Sequence, residues 1–122
     1  MSGSDARTGL AGSGGIAEEV RLVLCTVPNL EVARGLGRTL VEERLAACVN
    51  LLPQLTSIYR WEDAICEEPE VLLLIKTRKE RLEQLQARVL ALHPYEVPEL
   101  LALPVGSGSD AYVEWLLTAS GG

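Results

Sequence analysis

Two cysteines and the single histidine are the residues whose chemistry is most distinctive in this chain. Cys25 lies near the end of one predicted strand and Cys48 within the next, so side-by-side strands would bring the two sulfurs close. Thiolate and imidazole are ligands that copper(I) and zinc prefer, which makes a metal site with His93 one interpretation. The other is structural: free cysteine is among the most buried residue types, and a histidine at a predicted helix end fits a cap as well as a ligand.

A second group of candidate residues is aromatic. Tyr59 and Trp61 stand two residues apart on a predicted strand, so their side chains project from the same face. With Lys76, Tyr95 and Glu99 they would line a cleft where subunits meet, as a site for a small anion or a metal complex. The alternative is that the two aromatic residues anchor a protein interface, where Tyr and Trp are enriched.

The spacing of apolar residues predicts the elements that would position these side chains. Val20–Val27 is a β-prone run, and Pro28-Asn29 after it favours a helix that continues to about Arg44. Strand character returns over 45–61, where Pro53 predicts a bulge or bend because it cannot donate to a ladder. Glu62-Asp63 is a plausible hairpin tip.

The second half of the chain repeats the pattern. The return arm of the hairpin is predicted over 65–76, and Thr77 with Glu80 matches a capping box for a second helix, which Pro94 ends. The apolar positions of that helix are Leu82, Leu85, Val89 and Leu92. A short strand is predicted over 100–105 and a turn over 106–109. Asp110 is then predicted to cap a terminal helix that runs to Ser120, with Tyr112 and Trp115 as packing residues.

The order β-α-β-β-α-β with an added C-terminal helix predicts an α+β, ferredoxin-like fold with a long β-hairpin. We expect residues 1–19 to form a flexible tail and 20–120 to form the domain. A hairpin arm of about 16 residues would reach ~50 Å and overhang a core of this size. Residues 71–75 are all apolar, whereas a strand with one solvent-exposed face alternates apolar and polar residues. Both faces of this strand should therefore be buried. Oligomerisation explains that better than burial by the terminal helix alone.

Composition limits the functional classes. A net charge of −6 over 122 residues argues against nucleic-acid binding, which normally needs a basic surface, and no apolar run reaches the ~18 residues that a membrane span needs. The cysteines are three, with no CxxC spacing, which favours a reducing compartment and predicts a cytoplasmic protein. The sequence contains no nucleophile elbow, phosphate-binding glycine loop or HExxH motif, so we predict no enzymatic activity.

The chain contains five short motifs in order: 46–50 (AACVN), 57–61 (SIYRW), 76–77 (KT), 93–99 (HPYEVPE) and 110–115 (DAYVEW). With these motifs it resembles the CutA family of small trimeric proteins, which are named for tolerance to divalent cations. The resemblance implies a homotrimer whose arrangement looks like that of the PII regulators. It also implies a cation site at Cys25, His93 and Glu99. Under this resemblance we expect copper or another divalent cation to bind weakly and not to be needed for folding. A PII-like signalling or adaptor module, binding a small molecule or protein partner at subunit clefts, is the alternative.

Overall fold

A computed structural model describes residues 10–11 and 16–121 of the chain. In this part, a four-stranded sheet carries most of the strand residues and a two-stranded one carries the rest. The strands and α-helices, in chain order, are β1 Leu10–Ala11, β2 Val20–Val27, α1 Leu30–Glu42, β3 Cys48–Trp61, β4 Ala64–Arg78, α2 Leu82–Leu92, β5 Leu101–Pro104, β6 Gly108–Ser109 and α3 Asp110–Ala119. Short 3-10 helices cover Ile16–Glu19 and Lys79–Arg81.

The main sheet has the strand order β3-β4-β2-β5, and every neighbouring pair is antiparallel. Its core lies on the face covered by α1 and α2, because alternate residues of β2 point there together with apolar positions of both helices. These are Val23, Cys25 and Val27 of the strand, Ala33, Leu36 and Leu40 of α1, and Leu85 and Val89 of α2. The observed fold is therefore the predicted mixture of an antiparallel sheet and helices.

Both long helices begin or end where the sequence predicts. Asn29 adopts an extended backbone at the N-cap of α1, and its side chain accepts a 2.9 Å hydrogen bond from the Val32 amide, which satisfies a free donor of the first turn. Helix α2 ends at Leu92, just before His93 and Pro94. The apolar positions of α2 are covered unequally, since Leu85 and Val89 are buried whereas Leu92 is exposed.

The hairpin of β3 and β4 extends beyond the sheet, as predicted. Strand β4 pairs with β2 only over Val71–Arg78, whereas its outer part pairs with β3 out to Trp61 and Ala64. The register shifts between Leu52 and Leu55, which is the bulge predicted at Pro53. The tip is Glu62-Asp63, where both residues have positive φ, the conformation of a tight two-residue hairpin turn.

Two predicted caps are wrong. Thr77 lies inside β4, fully buried, and its hydroxyl donates a 2.7 Å hydrogen bond to the Leu45 carbonyl. The hydroxyl therefore stabilises the core and does not cap α2. Asp110 is the first residue of α3 and not its cap; Ser109 occupies the N-cap position without a side-chain capping bond among the described residues.

The C-terminal helix packs on the sheet through Val113 and Leu116. Val113 and Leu116 are buried, in a small cluster with Ala17, while Tyr112 and Trp115 are about half exposed and contact each other with ring centroids 5.5 Å apart. The two aromatic residues predicted to pack therefore pack against each other and leave about half of each side chain exposed. They form a ring pair on the outside of the helix.

Part of the segment predicted as a tail is structured. Leu10–Ala11 pairs antiparallel with Gly108–Ser109, and Ile16–Glu19 forms a 3-10 turn that buries Ala17. Residues 1–9 and 12–15, which the tail prediction also covers, lie outside the described residues. In the described part of the chain, the helices are all too short or too polar to cross a bilayer.

Candidate functional site

A cleft of about 590 Å³ opens between the outer part of the hairpin and the loop that follows α2. The hairpin and that loop supply nearly all of its lining: Thr26, Ser57, Ile58, Tyr59, Trp61, Glu70, Tyr95, Glu96, Val97 and Glu99. The volume lies within the range of sites for small organic ligands. Four of the five residues predicted to line a cleft, Tyr59, Trp61, Tyr95 and Glu99, meet here.

Glu70 is the buried charge of this cleft. The residue is 9% exposed, and its carboxylate accepts two hydrogen bonds, from Ser57 Oγ at 2.6 Å and from the Tyr95 hydroxyl at 2.8 Å. Bonds to both oxygens compensate for the water that the carboxylate loses on burial. Burial, followed by the bond to this carboxylate, raises the pKa of Tyr95 above its ordinary value. Tyr95 is therefore a neutral donor that holds the loop against the hairpin.

His93 joins the end of α2 to the end of β2. Its Nε2 lies 2.7 Å from the Thr26 carbonyl oxygen, and its Nδ1 accepts a 3.0 Å hydrogen bond from the Tyr95 amide. Because Nδ1 accepts, Nε2 must carry the proton and donate to Thr26, which fixes the tautomer. The residue as a whole is 8% exposed. Both nitrogens are thus engaged in bonds that stabilise the backbone, as the cap interpretation expects.

Cys25 belongs to the core and not to the cleft. Its side chain is fully buried among the residues under α1 and α2, whereas the next residue, Thr26, lines the cleft, because side chains alternate between the faces of a strand. Burial, and then the nearby carboxylates of Glu99 and Glu70, raises the pKa of the Cys25 thiol from 9.0 to about 12. The thiol is therefore protonated at neutral pH.

Lys76, the fifth residue of the predicted group, lies away from the part of the cleft that one chain forms. It sits on β4 opposite Leu22 and Cys48, and its Nζ is 3.3 Å from the Tyr112 hydroxyl and 5.6 Å from the centroid of that ring. The cause is strand length: Lys76 is near the end of β4 that pairs with the sheet, whereas Glu70 begins the part beyond it. One chain cannot bring both to the same site.

Comparison with known proteins identifies the family. A family model described as CutA1 divalent ion tolerance protein matches residues 21–119. The chain belongs to the CutA1 family. It is 55% identical over 104 residues to the divalent-cation tolerance protein CutA of Thermus thermophilus, covering 85% of this chain and 99% of that protein. It is 47% identical over 106 residues to human protein CutA, covering 87% of this chain but 59% of that longer protein.

Solved CutA1 structures share the architecture. The Thermus thermophilus protein superposes with a TM-score of 0.81 at 52% identity, covering 83% of this chain and 98% of its own. CutA from Synechococcus elongatus superposes with a TM-score of 0.85 at 37% identity, covering 93% and 97%. The family description concerns tolerance to divalent ions and names no reaction.

The three residues suggested by the CutA resemblance as a cation site do not form a ready ligand set in this chain. Cys25 faces the core with a protonated thiol, His93 uses both ring nitrogens, and Glu99 lines the cleft on the other face. Within the described ranges, no three His, Cys, Asp or Glu side chains converge closely enough to hold a metal ion. A cation at these residues would require His93 to give up a backbone bond.

The strands that carry Cys25 and Cys48 are not neighbours, so the expected approach of the two thiols does not occur within the chain. Strand β4 lies between the strands that carry them, so the two are two strand spacings apart, ~9.5 Å, before any offset along the strands. All three cysteines, including Cys66, are free thiols.

Sequence reasoning missed Glu70, although a usable signal was present. Counting outward from the tip Glu62-Asp63 pairs Ser57 with Glu68 and Leu55 with Glu70. Ser57 is therefore the diagonal neighbour of Glu70, within reach of a side-chain contact. The third partner, Tyr95, comes from a distant loop, and no local pattern places it there.

Proposed function

We propose that this chain acts in divalent-cation tolerance as a homotrimer that binds copper or another divalent cation weakly and catalyses no reaction. Membership of the CutA1 family over residues 21–119 is the observation that carries this proposal. Weak binding agrees with the geometry, since Cys25 faces the core, His93 uses both ring nitrogens and Glu99 lines the cleft on the other face. The apolar core under α1 and α2 gives a reason for folding without metal.

The proposed trimer is supported by the hairpin. Its outer part is a two-stranded ribbon, which is marginally stable in water without further packing. Ile65 on this ribbon is 61% exposed, and Leu101 on the edge strand β5 is 58% exposed. Packing of each ribbon against the sheet of another copy would cover these side chains. The strand order β3-β4-β2-β5 supports the ferredoxin-like assignment.

Native mass spectrometry of the reduced, metal-free protein tests assembly and metal binding together. We expect a trimer that takes up at most one copper or zinc ion per subunit as metal is added stepwise. Cys25→Ser is compared with Cys66→Ser, because Cys66 lies outside the proposed ligand set. Copper uptake that is equal in both variants would remove Cys25 from the site, and a monomer would refute the proposed assembly.

A cytoplasmic location and the absence of nucleic-acid or membrane partners complete this proposal. Three free thiols suit a reducing compartment, and a charge of −6 disfavours binding to phosphate backbones. Relatives differ in location, since CutA of Arabidopsis thaliana is named chloroplastic. Fractionation of cells expressing the full chain tests the location, and recovery outside the cytoplasm would contradict it.

The cleft favours a second candidate function, a PII-like module that binds a small molecule between subunits. The supporting observation is a 590 Å³ space whose aromatic walls surround the buried, hydrogen-bonded Glu70. A thermal-shift screen of nucleotides, small anions and amines tests it. We expect a ligand whose stabilisation is lost in Trp61→Leu but kept in Trp115→Leu, a change outside the cleft. No stabilisation by any compound would contradict this function.

A further inference from the structure

The lining of the cleft has one sign of charge. It contains three carboxylates, those of Glu70, Glu96 and Glu99, and no lysine, arginine or histidine from the described part of the chain. Two of the three are partly or fully withdrawn from solvent, since Glu70 is buried and Glu99 is half-buried. A cleft with this lining repels the small anion that the sequence suggested and attracts a cation.

The carboxylates are arranged unsuitably for a bare metal ion. A divalent cation needs several oxygen ligands within about 2.6 Å of one point. The acidic side chains here do not converge in this way, and Glu70 already accepts bonds from Ser57 and Tyr95. The charges are spread over a space much larger than an ion, so a larger cation with its own apolar surface fits them better.

The remaining lining residues supply that apolar complement. Tyr59, Trp61 and Tyr95 place three aromatic side chains around the same space, together with Ile58 and Val97. The faces of aromatic rings attract ammonium groups, most strongly when the group is shielded from water. Trp61 is 51% exposed and Val97 is 73% exposed, so both have surface available to a ligand.

We propose that the cleft binds a small organic cation, in which an alkylated or primary ammonium group lies against the aromatic rings and faces the carboxylates. This inference rests on the second proposed function, that the cleft is a ligand site, and it adds the chemical class of the ligand. The rings select the alkyl surface around the nitrogen and the carboxylates select its charge. The rings alone would also accept a neutral apolar molecule, and the carboxylates alone would also attract a metal ion.

Choline and 3,3-dimethylbutan-1-ol form a matched pair of probes, because they have nearly the same shape and only choline is charged. Isothermal titration calorimetry of the full chain should show one choline per subunit. The alcohol should bind at least ten times more weakly, since it lacks both attractions. Trp61→Leu and Glu99→Gln should each weaken choline binding several-fold. The matched controls Trp115→Leu on α3 and Glu83→Gln on α2 should leave the affinity unchanged.

Three results would overturn the inference, and they are separable from failure of the proposed functions. Equal affinity for choline and its neutral analogue would show that charge has no role. Binding of phosphate or a nucleotide in place of choline, with the same loss in Trp61→Leu, would retain the ligand cleft but refute the cationic class. An intact trimer that binds none of these compounds, or choline binding that is insensitive to both cleft variants, would show that the cleft is not the site. Copper uptake measured separately decides the cation-tolerance proposal.

Discussion

Cys25 should react slowly with alkylating reagents in the folded protein, because only the thiolate attacks and burial suppresses it. Raising its pKa from 9.0 to about 12 reduces the thiolate fraction at pH 8 roughly 1000-fold relative to the unfolded chain. A thiolate of higher pKa is more nucleophilic, with a Brønsted slope of about 0.4–0.5, which recovers about 15- to 30-fold. The net expectation is a rate about 30- to 60-fold lower, before any further loss from restricted access.

The assay follows each cysteine separately. The protein reacts with iodoacetamide at pH 8 with and without urea, samples are quenched over time, and the alkylated fraction at each cysteine is read by peptide mass spectrometry. The same Cys25 in the unfolded chain is its own reference. Cys48 and Cys66, which are only half-buried, report whether the folded protein is accessible to the reagent.

A Cys25 that reacts within about threefold of its unfolded rate would refute this reasoning. It would mean that the thiol samples an exposed, ionised state, and Cys25 would then be available to a metal ion. A slow Cys25 together with copper uptake would direct the search for ligands to the carboxylates and the remaining thiols.

Three further perturbations test contacts that position the site. Thr77→Val should lower the free energy of unfolding by about 1–3 kcal/mol, because it leaves the buried Leu45 carbonyl without its donor; the exposed Thr118→Val should change it by less than about 0.5 kcal/mol. Asn29→Ala should cost about 1 kcal/mol by removing the cap of α1. Because folding raises the pKa of Cys25, the contribution of this thiol to the free energy of unfolding should be complete below pH 9 and lost as pH rises to 12. Cys25→Ala should therefore make the free energy of unfolding fall less steeply between pH 9 and 12.

Urea titrations at one protein concentration measure all three effects, since the stability of an oligomer depends on concentration. Equal losses in the two threonine variants would contradict a specific role for the buried hydroxyl. A neutral Asn29→Ala would show that the cap contributes little. An unchanged alkaline slope in Cys25→Ala would assign the loss of stability to other groups.

The parts of the fold that the sequence predicts are those decided by local chemistry. Val20–Val27 is observed as predicted, because a β-prone run is bounded by Pro28 and a capping asparagine. The bulge follows from Pro53, which has no amide to donate, and Gln54 next to it takes a positive φ of 67°. The tip follows from Glu62-Asp63 between two strand-like arms. In each case a few neighbouring residues determine the backbone.

The wrong cap at Thr77 concerns a residue whose partner is distant in sequence. Thr77 matches a capping box, but its hydroxyl donates instead to the buried carbonyl of Leu45, 32 residues earlier in the chain. The contacts of Tyr112 and Trp115 are decided in the same way, because the cluster around Ala17 sets the direction of α3 and turns the two rings outward. Local pattern cannot show which face a neighbouring element will cover.

The candidate site shows why a family resemblance and a ligand set are different inferences. Two of the recognised motifs, 57–61 and 93–99, meet at the cleft, whereas Cys25 lies on the opposite face of the sheet. His93 connects the two faces through the Thr26 carbonyl and the Tyr95 amide. His93 therefore acts as a positioning residue: it fixes the loop so that the Tyr95 hydroxyl reaches Glu70. These two hydrogen bonds are sufficient to account for His93 in the motif without a metal bond. The groups of the cleft that can face a ligand are then its carboxylates and aromatic rings.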